Sequence, residues 1–171
     1  MELKKLIFAP HPDDELLWCS SVLKGSDIVI VSNGDAGIPN GKEKNSASAI
    51  NAYVHKREEE SRETARIYGA NSFTPLGYPE NWLYARMDTV RDRIWDICYN
   101  TDATEIYIPR LDDPTPGHPQ VAEFVRAYYK TGTNRIAKKL WEYSGIQDEK
   151  ENMIFVILNE EEREKKLKAI E

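Results

Sequence analysis

Short apolar runs alternate with longer helix-periodic stretches along most of this chain, and that alternation restricts its fold more than any other feature. Leu6-Ile7-Phe8-Ala9 is an unbroken apolar run stopped by Pro10, and Ile28-Val29-Ile30-Val31 is a second, rich in β-branched residues. Runs with no polar alternation suit strands covered on both faces, the condition of a parallel sheet. Glu105-Ile106-Tyr107-Ile108-Pro109 reads as a further strand, and Phe73-Thr74-Pro75-Leu76 as an imperfect one, since proline removes a ladder donor. Between them fall three helical stretches: Glu15 to Lys24, ended by Gly25; Ala47 to Tyr68, ended by Gly69; and Trp82 to Cys98. Ile50, Val54, Ser61, Ala65 and Tyr68 share one face of the second, and Met87, Val90, Ile94 and Ile97 one face of the third. A helix after Gly117 turns Val121, Phe124, Val125 and Tyr128 inward. The alternation predicts an α/β, Rossmann-like three-layer fold, with a mostly parallel central sheet and helices on both faces.

The tail is less regular. Leu140-Trp141-Glu142-Tyr143 and Met153-Ile154-Phe155-Val156-Ile157 read as two more strands, an antiparallel C-terminal extension. Asn159 is placed to cap a last helix, Glu160 to Glu171, whose acids come first and lysines later, the order the helix dipole favours. No repeat and no linker divides the chain, so the reading is one domain over 1–171.

Composition narrows the function. With 171 residues, 40% apolar and 30% charged, the chain is long enough for a sizeable core. A net charge of −6 argues against a broad basic face that clamps nucleic acid. No run reaches the length of a membrane span, and the start of the sequence lacks the apolar core of a signal peptide. The expectation is a cytoplasmic protein with no direct nucleic-acid or membrane partner. The two cysteines, Cys19 and Cys98, lie in apolar helical patterns and read as buried free thiols.

The chemistry gathers at two strand ends. Pro10-His11-Pro12-Asp13-Asp14-Glu15 follows the first strand and opens the first helix. In open α/β sheets, ligands bind at the carboxyl ends of strands. His11 and Asp14 offer a nitrogen and an oxygen suited to zinc, while Asp13 between them stays free to take a proton from bound water. The plainer reading is that Asp13 and Asp14 only cap the helix. Asp112-Asp113-Pro114-Thr115-Pro116-Gly117-His118 also follows a strand and precedes a helix. In a parallel sheet both loops open on one edge, so His118 can join His11 and Asp14. Two histidines and one carboxylate then leave a fourth zinc position for water. Of the three histidines, His55 lies mid-helix beside Lys56 and Arg57 and reads as a solvated face.

The first motif resembles the signature of the LmbE-like, or PIG-L-like, de-N-acetylases, usually written (A)HPDDE. Other pieces resemble the family in order: Val31 to Gly37 its T-x-G-(D/E)-x-G loop; Arg57-Glu58-Glu59-Glu60, Thr64-Ala65 and Tyr68-Gly69 its R-x-x-E helix; Leu76-Gly77-Tyr78-Pro79-Glu80 its L-G-x-P-D segment; and Lys165 to Ala169 its final helix. His118 falls where its HPDH motif ends. The resemblance implies a hydrolase that removes an N-acetyl group from an amino-sugar derivative, such as an N-acetylglucosamine compound or other sugar conjugate. It implies Zn2+ held by His11, Asp14 and His118, with Asp13 as general base. It implies Arg57 and Asn33 beside the substrate, with Glu60 supporting Arg57.

The sequence departs from the pattern at HPDH. Thr115 stands where the first histidine would be and Gly117 where the aspartate would be. That histidine helps stabilise the oxyanion, and losing one oxyanion donor costs a factor of about 10²–10³ in rate. Thr115 can donate a hydrogen bond without charge, and Arg110 in the same loop is a second substitute. Setting His118-Pro119-Gln120-Val121 against HPDH instead would put valine at a metal position. Family members commonly run some tens of residues longer, so a homo-oligomer whose second subunit completes the substrate rim is an open expectation. Two competing readings remain: a sugar-binding remnant without turnover, and a non-haem Fe(II) oxygenase, which two histidines and a carboxylate also suit.

Overall fold

In a computed structural model, described over residues 3–39, 46–131 and 139–143, five strands form one sheet. They are β1 (Lys5–Ala9), β2 (Ser26–Ser32), β3 (Ser72–Tyr78), β4 (Glu105–Pro109) and β5 (Lys139–Tyr143). Their order is β3-β2-β1-β4-β5, and every pairing is parallel. The unbroken apolar runs explain this. Leu6 and Phe8 of β1, Val29 and Val31 of β2, and Ile106 and Ile108 of β4 enter one buried cluster with α4 and α5. Ile7 and Ala9, Ile28 and Ile30, and Tyr107 enter the other cluster, against Leu16, Leu23, Ala65 and Tyr68. Each strand thus sends apolar side chains both ways, and helices cover both faces.

The helices are α1 (Asp14–Cys19), α2 (Ala47–Tyr68), α3 (Trp82–Ala85), α4 (Met87–Asn100) and α5 (His118–Lys130). α2 begins where Ser46 accepts from the Ala49 amide and ends at Gly69, whose φ of 69° a glycine adopts without strain. Strand order reverses between β1 and β4, so the loops after these two strands diverge and leave a crevice at their carboxyl ends.

Four expectations change. β5 joins β4 in parallel, not as part of an antiparallel extension, because its register follows Glu105–Pro109 residue by residue along the free edge. The rest of the predicted extension, with Met153–Ile157, Asn159 and the last helix, lies outside the described residues. The single helix expected from Trp82 to Cys98 breaks at Arg86, with no proline or glycine to signal it. Leu83 joins Val90 and Ile94 in one buried cluster and also reaches Gly117 beside the site; Met87 is left exposed. α1 is shorter than Glu15–Lys24 and gives way to a 3₁₀ turn at Ser20–Val22. Glu60 pairs with Lys56 on the exposed face of α2 instead of supporting Arg57. Pro75 is tolerated because β3 is an edge strand, and Cys19 and Cys98 are buried free thiols. Among the described residues, no helix is long and apolar enough to cross a membrane.

Candidate metal centre and active site

The site forms where β1 and β4 end. Pro10 closes β1, and its carbonyl accepts from the Ser32 amide, anchoring the start of the His11 loop against β2. The chain then turns through Asp13 at φ 108°, ψ −27°, a conformation that non-glycine residues rarely hold. Two contacts keep it there. The Asp13 amide donates to Glu15 Oε2 at 3.0 Å, and Arg57 donates to Asp13 Oδ2 at 2.6 Å. Asp13 makes no side-chain capping bond to α1, so the plain capping role does not describe it.

Asp14 is the focus of the cluster. Its Oδ2 accepts from the His11 amide at 2.9 Å and lies 3.2 Å from His11 Nδ1 and 3.1 Å from His118 Nε2. The two imidazole centroids are 5.3 Å apart. One donor atom each from His11, Asp14 and His118 lies within 4.8 Å of the others, and the latter two residues are buried. Although close to Asp14, both ring nitrogens of His118 are buried without a well-aligned hydrogen bond. Convergent, poorly satisfied donors of this kind fit a shared cation better than they fit one another, and the set of two nitrogens and a carboxylate oxygen suits zinc.

The electrostatics agree with a cation site. Burial alone would lower the His11 pKa, but hydrogen bonds to Asp14 and Glu80 outweigh it and raise it to about 9. Burial alone would raise Asp14, yet the His11 and His118 imidazoles against its carboxylate hold it well below the usual carboxylate range. A metal ion binding at His11 must therefore displace a proton, and binding strengthens as pH rises. Loss of hydration pushes Asp13 upward, Arg57 pulls it back and Asp14 pushes it up again, leaving it above its ordinary value. Glu15, buried behind the turn, is raised to about 7 by burial, with Ser61 opposing.

The other sequence candidates divide. Arg57 turns inward from α2 to the Pro12 carbonyl, the Gly34 carbonyl at 3.4 Å and Asp13. Asn33 is half-buried; its Oδ1 accepts from the Asp35 amide, and it lines a cavity of about 260 Å³ with Pro12, Ser61 and Phe73. Arg110 is buried with its guanidinium held in two bonds by Asp112, at 2.8 and 2.6 Å. The Thr115 side chain is exposed, and its amide donates to Asp113.

Two residues at the site escaped the sequence reading. Glu80 Oε2 lies 2.9 Å from His11 Nε2, a carboxylate behind the ring that can fix its orientation. Its place at the end of the Leu76–Glu80 segment was the available signal. Tyr84 brings its hydroxyl to the Gly117 amide, 2.8 Å away, and nothing in the sequence marks it.

Residues 6–129 match the family described as PIG-L, GlcNAc-PI de-N-acetylase. A sequence comparison with curated proteins finds no match. Among solved structures, the N,N'-diacetylchitobiose deacetylase of Pyrococcus horikoshii, in complex with an inhibitor, superposes with a TM-score of 0.75 at 20% identity, over 98% of this chain and 68% of that one. A zinc-inhibited form of the teicoplanin deacetylase Orf2 gives 0.70 at 13% identity, over 98% of this chain and 82% of that one. GalB, a 4-carboxy-2-hydroxymuconate hydratase from Pseudomonas putida KT2440, gives 0.64 at 19% identity, over 80% of this chain and 62% of that one. At such identities these likenesses show a shared fold, and the fold alone does not choose between deacetylation and hydration.

Proposed function

The chain belongs to the PIG-L (GlcNAc-PI de-N-acetylase) family, and from that premise we propose that it is a zinc-dependent hydrolase that removes the N-acetyl group of an amino sugar or sugar conjugate. The observation that carries the reading is the convergence of His11 and His118 on one oxygen of Asp14, with a second, non-capping carboxylate, Asp13, at the adjacent residue. His11, Asp14 and His118 would hold the zinc. When bound, the ion supplies Lewis acidity and an acidified water. Asp13 takes a proton from the attacking water as its oxygen bonds to the acetyl carbon. It returns that proton to the nitrogen as the C–N bond breaks, releasing acetate and a free amine. Arg57 binds Oδ2 of Asp13 and orients the carboxylate for this exchange. The amino-sugar substrate is supported by the family description and by the chitobiose deacetylase likeness.

A second reading, a sugar-binding protein without turnover, draws on one observation: Thr115 is exposed and Arg110 is held by Asp112, so neither is poised as an oxyanion donor. The test separates the two. Asp13→Asn should lower acetate release from N-acetylglucosamine and its oligomers by at least about 10³-fold while keeping the bound zinc, consistent with general-base loss. His118→Ala should lose the zinc itself. Equal loss of metal in both variants would contradict the role of Asp13, and zinc-loaded wild type that binds these sugars but frees no acetate would favour the second reading.

A further inference from the structure

Gly117 is where the donor question resolves. Its φ is +84°, and a Cβ there would come within 2.7 Å of Glu80 Oε1, 2.8 Å of Leu83 Cδ1 and 3.3 Å of His11 Nε2. The absence of a side chain lets the α3 segment close against the His118 loop, beside the candidate metal ligands. Tyr84, also in α3, meets the same loop through the Gly117 amide. Its hydroxyl oxygen accepts from the Gly117 amide at 2.8 Å, one residue before His118, while the residue stays 48% exposed. A tyrosine hydroxyl that accepts one bond still has its own proton to donate.

We propose that Tyr84 is the oxyanion donor of this enzyme: its O–H donates to the acetyl carbonyl oxygen as that oxygen gains negative charge. The proposal rests on the deacetylase reading of the same site. The Gly117 amide anchors the Tyr84 oxygen, so the donor is fixed before substrate arrives, which is what makes such groups effective. Its donor comes from α3, across the gap that Gly117 opens, instead of from position 115. The hydroxyl is neutral, so it stabilises developing charge without adding a cation beside His11 and His118.

The experiment compares zinc-loaded wild type with Tyr84→Phe, using N-acetylglucosamine oligomers as substrate. It also uses a glucosamine N-methylphosphonamide, whose phosphoryl oxygens imitate the tetrahedral stage. Tyr84→Phe should lower kcat by on the order of 10²-fold with KM within about twofold. It should weaken phosphonamide binding by a similar factor, leave glucosamine binding unchanged and keep its zinc. A variant with wild-type kcat and phosphonamide affinity would overturn the role of Tyr84 and leave the deacetylase reading intact. Parallel loss of zinc would make Tyr84 a support for the His118 loop and overturn the donor role. Wild type that releases no acetate and binds phosphonamide no better than glucosamine would overturn both.

Discussion

Glu80 illustrates how one buried side chain governs its neighbour. Its carboxylate meets His11 Nε2 at 2.9 Å while the other ring nitrogen faces Asp14 at 3.2 Å, so the imidazole is gripped on both sides. A carboxylate behind a metal-binding imidazole fixes the ring and raises its basicity, and removing such a partner typically costs 10–100-fold in metal affinity. Glu80→Gln should therefore weaken zinc binding by roughly 10–100-fold, read by competition with a chromogenic chelator. Unchanged affinity would show that the contact does not orient the ring. Asp13 carries its role in its backbone as well as its carboxylate. An aspartate at φ 108° stays there because Arg57 and Glu15 hold it, the pattern expected where local strain is retained for chemistry.

At the scale of elements, α2 and the loop after β2 act as one support. Arg57 crosses from α2 to the carbonyls of Pro12 and Gly34, and so ties the helix to the loop after β1. Gly34 makes room for it: φ is +68°, and a Cβ would stand 2.5 Å from Arg57 Nη1. Gly34→Ala should lower thermal stability by about 1–3 kcal/mol through backbone strain. It should lower kcat more than it lowers zinc content, since Arg57 touches Asp13 and none of the three proposed metal ligands. A calorimetric scan with a metal assay checks both; full activity with Arg57 displaced would remove Arg57 from the mechanism. The break between α3 and α4 at Arg86 belongs to this scale too, because it turns Leu83 and Tyr84 toward Gly117.

Across the whole molecule, the proposed metal ligands come from two places far apart in sequence, the turn that joins β1 to α1 (His11 and Asp14) and the start of α5 (His118), which the pairing of β1 with β4 brings together. A ligand that binds only the folded arrangement stabilises it. At a free zinc concentration 100-fold above Kd the gain is about 2.7 kcal/mol. For a chain of this size that raises Tm by roughly 5–10 °C, and EDTA should reverse it. A Tm unmoved by zinc would mean that the three ligands do not bind the ion together.

The sequence by itself determined the parallel α/β architecture and the position of the site, because unbroken apolar runs demand cover on both faces, and because polar clusters at strand ends must share one edge. That His11, Asp14 and His118 come together was legible for that reason. Only the tertiary structure decided that β5 runs parallel, that the Trp82–Cys98 helix breaks, that Arg110 is held by Asp112, and that Glu80 and Tyr84 stand at the site. Apart from the place of Glu80 at the end of the Leu76–Glu80 segment, none of these has a local signal. Each follows from which surfaces meet once the sheet is closed, and spacing along the chain does not encode the packing of distant segments.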